Sequence, residues 1–245
     1  MMDSTFIKAI RETADPLVQL IDNSWYSTAT LKEVVQAPLP LPASLKVSSL
    51  TALLDYLLAN RDGIALDKAI VVVASPDSVY LASELFGFHQ QRKEYIRARP
   101  VEITQFGFGQ YIGQVAFQIA LRTQFAPSPD VDLLGSLLAR ITNEELSTHE
   151  DDGISQVVNA RAGVVLVEKL TVPKYFFLRP YRTFSDIEQP GSHFLLRLKR
   201  DKEQDRPLIA LFEVDGGLWR KAATDSIKQF LHKSVVMKLG IPILA

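Results

Sequence analysis

The chain of 245 residues contains no cysteine. That absence excludes disulfides, thiolate metal sites, iron–sulfur clusters and cysteine nucleophiles. Histidine is scarce: His89, His149, His193 and His232 are scattered, with no pair at metal-ligand spacing. No apolar run approaches the roughly 20 residues of a membrane-spanning helix. The opening stretch MMDSTFIKAIRETADP mixes both charge signs and lacks the apolar segment of a signal peptide. Also missing are the GxSxG elbow, the GxxxxGK[ST] phosphate loop and the HExxH zinc motif. Ser192 and His193 are adjacent and would point to opposite faces of a strand, so they make no hydrolytic pair. The expectation is a cytoplasmic protein without a cofactor, more a binder than an enzyme, and with no membrane partner.

What remains is an ordinary globular composition, 47% apolar and 22% charged. The length allows one large domain or two small ones. Residues 1–160 hold 12 Lys+Arg against 19 Asp+Glu, net −7, whereas residues 161–245 hold 15 against 9, net +6. Such a split suits an anionic partner for the basic C-terminal part, or head-to-tail packing of copies of the chain.

Residues 4–21 place Phe6, Ile7, Ile10, Leu17, Leu20 and Ile21 at helical spacing, with Ser4 as cap and a kink at Pro16. APLPLPA (37–43) is held extended by its prolines and reads as a connector. Ser48 and Ser49 cap a helix whose Leu50, Leu53, Leu54, Leu57 and Leu58 share one face, stopped at Gly63. Ala69–Ala74 and Ser78–Leu81 read as a hairpin about Ser75-Pro76-Asp77, and residues 94–103 as a further extended segment. Tyr111 to Phe125 reads as a helix apolar nearly all round, suited to a core or a subunit interface. Pro127 and Pro129 end it, and a second helix runs through Leu133, Leu134, Leu137, Leu138 and Ile141. Residues 142–153 carry five acids and read as a solvated loop.

Beyond Arg161 the texture changes to short apolar runs separated by turns: Gly163–Val167, Tyr175–Leu178, His193–Leu198 and Leu208–Glu213. DKEQDR (201–206) is a hairpin tip, and residues 222–236 return to helix. The expected class is α+β: a helical N-terminal half, a mostly antiparallel sheet in the C-terminal half, and a closing C-terminal helix. Residues 1–43 form an N-terminal helical arm with its connector, and residues 44–245 form one α+β body.

Four features carry possible chemistry. Gly107, Gly109 and Gly113 precede a helix, but their spacing is GxGxxxG and no ribose-binding strand follows, so they read as helix entry rather than a dinucleotide turn. Glu213 and Asp215 stand two apart and could share a divalent metal with Asp151 and Asp152, the weaker reading of a metal-dependent nuclease. Between Lys174 and Pro190, Arg179 and Arg182 alternate with Tyr181 and Phe184; arginine forks bind phosphate and aromatic faces stack bases. Trp219, Arg220 and Lys221 make a second such cluster. The alternative for these residues is an internal clasp in which the arginines pair with Asp186 and Glu188.

RPYRTFSDIEQPGSHFLLRLKR (179–200), LFEVDGGLWR (211–220) and the helix SSLTALLDYLLANRDG (48–63) resemble the YfdQ-like family of phage and prophage proteins. The resemblance runs from about residue 25 onward and implies a phage origin and a non-virion role, with no functional residues to carry over. The favoured expectation is therefore a phage-encoded, non-enzymatic accessory protein. It self-assembles into a homo-oligomer and binds nucleic acid or a nucleotide in the host cytoplasm. The competing expectation is an anti-defence inhibitor that binds a host defence protein.

Overall fold

The described chain opens on two helical residues, Ser4 and Thr5, where the sequence places a helix start, and continues into strands from Val18. The structure is a computed structural model that describes residues 4–5, 18–27, 32–34, 37–101, 105–140, 157–162, 166–171, 173–201, 203, 206–233 and 239–245. It divides into two units: Met1–Pro42 with Leu85–Gln91, and Ala43–Glu84 with Arg92–Ala245.

In the first unit β1 (Val18–Ile21), β2 (Ser24–Ser27) and β3 (Lys32–Val34) form an antiparallel meander. Leu20 and Ile21, expected on a helix, lie in β1. Asp22 and Asn23 decide this. Both take positive φ (48° and 68°), the two-residue type I′ turn whose twist matches a hairpin. The expected helical positions between Phe6 and Leu17 lie outside the described residues.

In the second unit the elements run β4 (Leu45–Val47), α1 (Leu50–Ala59), β5 (Ala69–Ser75), β6 (Ser78–Ser83), β7 (Glu94–Ala98) and β8 (Ile112–Gly113). Next come α2 (Gln114–Thr123), α3 (Pro129–Arg140), β9 (Val157–Ala162), β10 (Leu166–Thr171) and β11 (Phe176–Leu178). β12 (Ser192–Asp201), β13 (Arg206–Glu213), α4 (Trp219–Leu231) and β14 (Ile243–Leu244) complete the order. The class is α+β. The N-terminal half is not helical, however, and the last helix does not close the fold. After α4 the chain adds β14 parallel to β5, with the Pro242 carbonyl accepting from Val71 N–H at 3.0 Å.

Two sheet-and-helix layers hold separate cores. One sheet, in the order β14-β5-β6-β7-β4, buries Val71, Val73, Val79, Leu81 and Ile96 against Leu50, Leu53 and Leu57 of α1 and Ile227 and Leu231 of α4. This core is aliphatic. Its helix α1 starts where the sequence indicates: Ser49 Oγ accepts from Ala52 N–H at 3.1 Å. The other sheet, β11-β12-β13-β8, is antiparallel and packs on α2 and α3. This core is aromatic, with Phe106, Phe117, Phe125, Phe176 and Phe194 buried together. Phe106 meets Phe117 and Phe125 edge-on, at 5.5 and 5.3 Å between ring centres.

Helix α2 is shorter than Tyr111–Phe125 and is buried on one side only. Phe117, Ala120 and Leu121 are buried, while Val115 (70%) and Ile119 (60%) are exposed on the far side. The extended segment expected over 94–103 is a strand only as β7 (Glu94–Ala98), and the described residues Val101, Gln105 and Phe106 lie outside any strand. Residues 142–153, 163–165 and 234–236 of the sequence reading lie outside the described residues. No helix among the described residues is long and apolar enough to cross a membrane.

Candidate functional site

The two arginine–aromatic clusters of the sequence meet in space around Arg182. Its guanidinium lies 4.1 Å from the centre of the Trp219 ring, and that of Arg220 lies 4.8 Å from the same ring. Arg182 Nη1 donates to Glu213 Oε1 at 2.7 Å, and Nη2 donates to the Pro190 carbonyl at 3.3 Å and to the Ser192 hydroxyl. The Arg182 side chain is 5% exposed. Burial pushes its pKa down, against the raising effect of Glu213 and Asp215, yet an arginine remains a cation in any protein setting. A buried cation with its own carboxylate is a structural pair: removing either partner strands the other.

The flanking residues fasten the same segment elsewhere. Arg179 pairs with Glu188 and stands 6.0 Å from the Phe177 ring. Thr183 donates its hydroxyl to the Pro76 carbonyl in the β5–β6 turn. Buried Gln189 closes the loop on itself: its Oε1 accepts from Arg182 and Thr183 N–H at 3.0 and 3.3 Å, and its amide donates to the Phe184 carbonyl at 3.0 Å. Asp186 caps α1, accepting from Leu50 N–H at 3.2 Å, Thr51 N–H at 3.0 Å and the Thr51 hydroxyl at 2.6 Å. Phe176 and Leu178 enter the aromatic core, whereas Phe184 enters the aliphatic one. The segment is a clasp that ties the two layers together.

This geometry revises the candidate residues one by one. Phe184 is fully buried and offers no ring face to a base. Arg179 and Arg182 go to different carboxylates, Glu188 and Glu213, and Arg182 does not reach Asp186. Tyr181, Arg182, Glu213, Trp219 and Arg220 surround a cavity of about 120 Å³, below the roughly 300 Å³ at which ligand pockets begin. Lys174 is exposed, 6.0 Å from the Tyr175 ring, and Lys221 pairs with Asp225 along α4. The glycine turn is engaged within the fold: Gly109, at φ +76°, donates its N–H to the Leu211 carbonyl of β13 at 2.8 Å. Glu213 is engaged by Arg182, and Asp215 Oδ1 accepts from Gly217 N–H at 3.1 Å, which closes the Asp-Gly-Gly turn. Asp151 and Asp152 lie outside the described residues. Among the described residues, no group of three or more His, Asp or Glu could hold a metal ion.

A different surface combines cations with aromatic rings and was missed in the sequence. Phe194, Leu196 and Leu198 face the core, so alternation along β12 sends His193, Leu195, Arg197 and Lys199 to the outer face. Register adds Phe177 opposite His193, Phe212 opposite Leu195, Ala210 opposite Arg197 and Leu208 opposite Lys199. Tyr111, one residue before Ile112↔Ile209, joins from β8. Lys199 Nζ stands 4.2 Å from the centre of the Tyr111 ring, and Tyr111 meets Phe212 edge-on at 6.3 Å. Phe177 and His193 are exposed and 5.1 Å apart. Asp201 is the acid of β12 on this face, and it pairs with Arg206 at 3.6 Å. The signal was present as Arg197-x-Lys199 in an alternating strand, but the Tyr111 ring comes from a segment far away in sequence.

Compared with known proteins, the chain matches no family model, no curated protein and no solved structure.

Proposed function

We propose that this chain is a non-enzymatic accessory protein that self-assembles and binds single-stranded nucleic acid across the outer face of β12 and β13. The carrying observation is the Tyr111–Lys199–Phe212 group, with Arg197 and His193 alongside and the acid on that face already paired. Aromatic faces stack bases of any sequence, and nearby cations follow the phosphates. Lysine is a point charge on a flexible stem, so Lys199 can swing from the Tyr111 ring to a phosphate and leave the ring to a base. His193 and Lys199 are exposed and Tyr111, Arg197 and Phe212 half-buried, a row along β12 that suits a strand better than a free nucleotide, which calls for an enclosed pocket. The exposed Val115 and Ile119 on α2 support self-assembly. The resemblance to YfdQ-like proteins supports a phage setting and action in the host cytoplasm.

Fluorescence anisotropy with a labelled single-stranded oligonucleotide and its duplex tests the reading. The single strand is expected to bind more tightly, and Tyr111→Ala to weaken it about tenfold, since one stacked base is worth roughly 1–3 kcal/mol. Absence of single-strand binding, or binding indifferent to Tyr111→Ala, overturns it.

A further inference from the structure

A second cationic site lies in the other layer, at the edge of the five-stranded sheet. A cavity of about 720 Å³ there is lined by Lys46, Val47, Ser48, Ala52, Arg97 and Arg99. That volume is within the range of small-molecule sites, roughly 300–1,000 Å³. Its charges follow from strand geometry. β4 and β7 are parallel with Lys46 opposite Arg97, and the two-residue period brings Ser48 and Arg99 to the same side. The Arg99 N–H donates to the Val47 carbonyl at 2.9 Å, which extends the pairing up to the cavity.

The three cations are not equivalent. Arg97 is fixed: it holds Glu94 through Nε and Nη2, bonds the Ser78 hydroxyl at 3.0 Å, and stacks 4.6 Å from the Tyr80 ring centre. Its hydrogen bond also holds the Glu94 carboxyl below its usual range, so that pair is ionised. Lys46 and Arg99 are exposed, and Arg99 lies near enough to the Glu94 carboxylate to help lower its pKa, although Glu94 is bonded to Arg97. The amides at the start of α1 are already occupied: Asp186 takes those of Leu50 and Thr51, and Ser49 takes that of Ala52. Recognition therefore falls to side chains: two exposed cations, the Ser48 hydroxyl, and an apolar wall of Val47 and Ala52.

We infer that this cavity binds a small di- or polyphosphate ligand, with Lys46 and Arg99 on the phosphates and Ser48 as a neutral hydrogen-bonding partner. Two converging cations match a multiply charged anion better than a single carboxylate. The apolar wall and the volume leave room for an organic group beyond the phosphates.

Titration calorimetry on the full chain tests this, with inorganic pyrophosphate and ADP as separate probes. Wild type is expected to bind at one saturable site. The Lys46→Ala, Arg99→Ala double variant is expected to bind at least tenfold more weakly, and Arg99→Lys to retain most of the affinity. Lys221→Ala, which removes a surface cation on α4, controls for overall charge and is expected to bind as wild type. Preference for ADP identifies an organic diphosphate as the ligand class, and equal affinity identifies the inorganic group; either supports the site. Thermal melts without ligand are expected to overlay, since both substituted side chains are exposed. No saturable heat with either probe, or equal weakening by Lys221→Ala, overturns the inference. Neither result bears on oligonucleotide binding at Tyr111.

Discussion

Two basic, aromatic regions of this molecule have similar composition and different ion pairing. In the stretch from Lys174 to Ser192, the arginines meet carboxylates: Arg179 meets Glu188, Arg182 meets Glu213, and Trp219 is covered by guanidinium groups. On the outer face of β12 and β13, Lys199 rests on Tyr111, and the nearby acid Asp201 is held by Arg206. Composition does not separate these regions. What separates them is whether folding brings an acid within reach of each cation, and the acids involved come from distant parts of the chain. A cation with a dedicated carboxylate stabilises the fold; a cation without one remains available to a partner.

The sharpest way to break this comparison is Arg182→Ala. It leaves Glu213 without its partner and opens a gap under Trp219. Breaking a buried pair destabilises by about 3 kcal/mol. Chemical denaturation should show that loss, while oligonucleotide affinity measured below the transition stays unchanged. A stable variant with lost binding would reverse the roles assigned to the two regions.

Tyr111→Ala should act in the opposite way, weakening binding by roughly 1–3 kcal/mol with a small effect on melting. Anisotropy and thermal melts on the same sample separate the two effects.

Asp186→Ala should destabilise by about 1 kcal/mol, the usual worth of a helix N-cap. Its effect should depend on pH. Burial pushes the Asp186 carboxyl up, but the Thr51 hydroxyl and the Thr51 and Leu50 amides outweigh it, so the net shift is downward. A folded-state pKa below the unfolded one gives a contribution that is complete above about pH 4, the unfolded carboxylate value. It is lost as pH falls through the folded value. The stability gap between wild type and Asp186→Ala should therefore narrow below pH 4; a constant gap would show that the carboxylate charge is not involved. The smallest effect belongs to Lys221→Ala. It removes an exposed i,i+4 pair with Asp225 and should leave both melting and binding within error of wild type.

Much of the fold was legible where local signals agreed. Ser49 and the leucine stripe gave α1, although its stop is Asn60 in the left-handed conformation rather than Gly63 alone. Ala69–Ala74 with Ser75-Pro76-Asp77 gave the β5–β6 hairpin, and DKEQDR gave the tip between β12 and β13. Val18–Ile21 reads as helix because Leu17, Leu20 and Ile21 fit helical spacing, and the Asp22-Asn23 turn makes it a strand instead. β14 is two residues long, too short for any period to register, and depends on pairing with Val71 and Val72. The site was less legible. The clasp was a stated alternative, yet its main ion pair joins Arg182 to Glu213 rather than to the nearby Asp186, because Asp186 faces the start of α1. Tyr111 and Lys199 meet only through sheet register.

The central claim is tested most directly by the salt dependence of single-stranded oligonucleotide binding in wild type, Lys199→Ala and Arg179→Ala. Arg179 is chosen because its ion pair with Glu188 is partly exposed, so its loss should leave the fold intact. The account predicts that Lys199→Ala flattens the slope of log affinity against log salt by about 0.7, one released counterion for a single strand, and that Arg179→Ala leaves it unchanged. A flattened slope in Arg179→Ala with an unchanged one in Lys199→Ala would contradict the account.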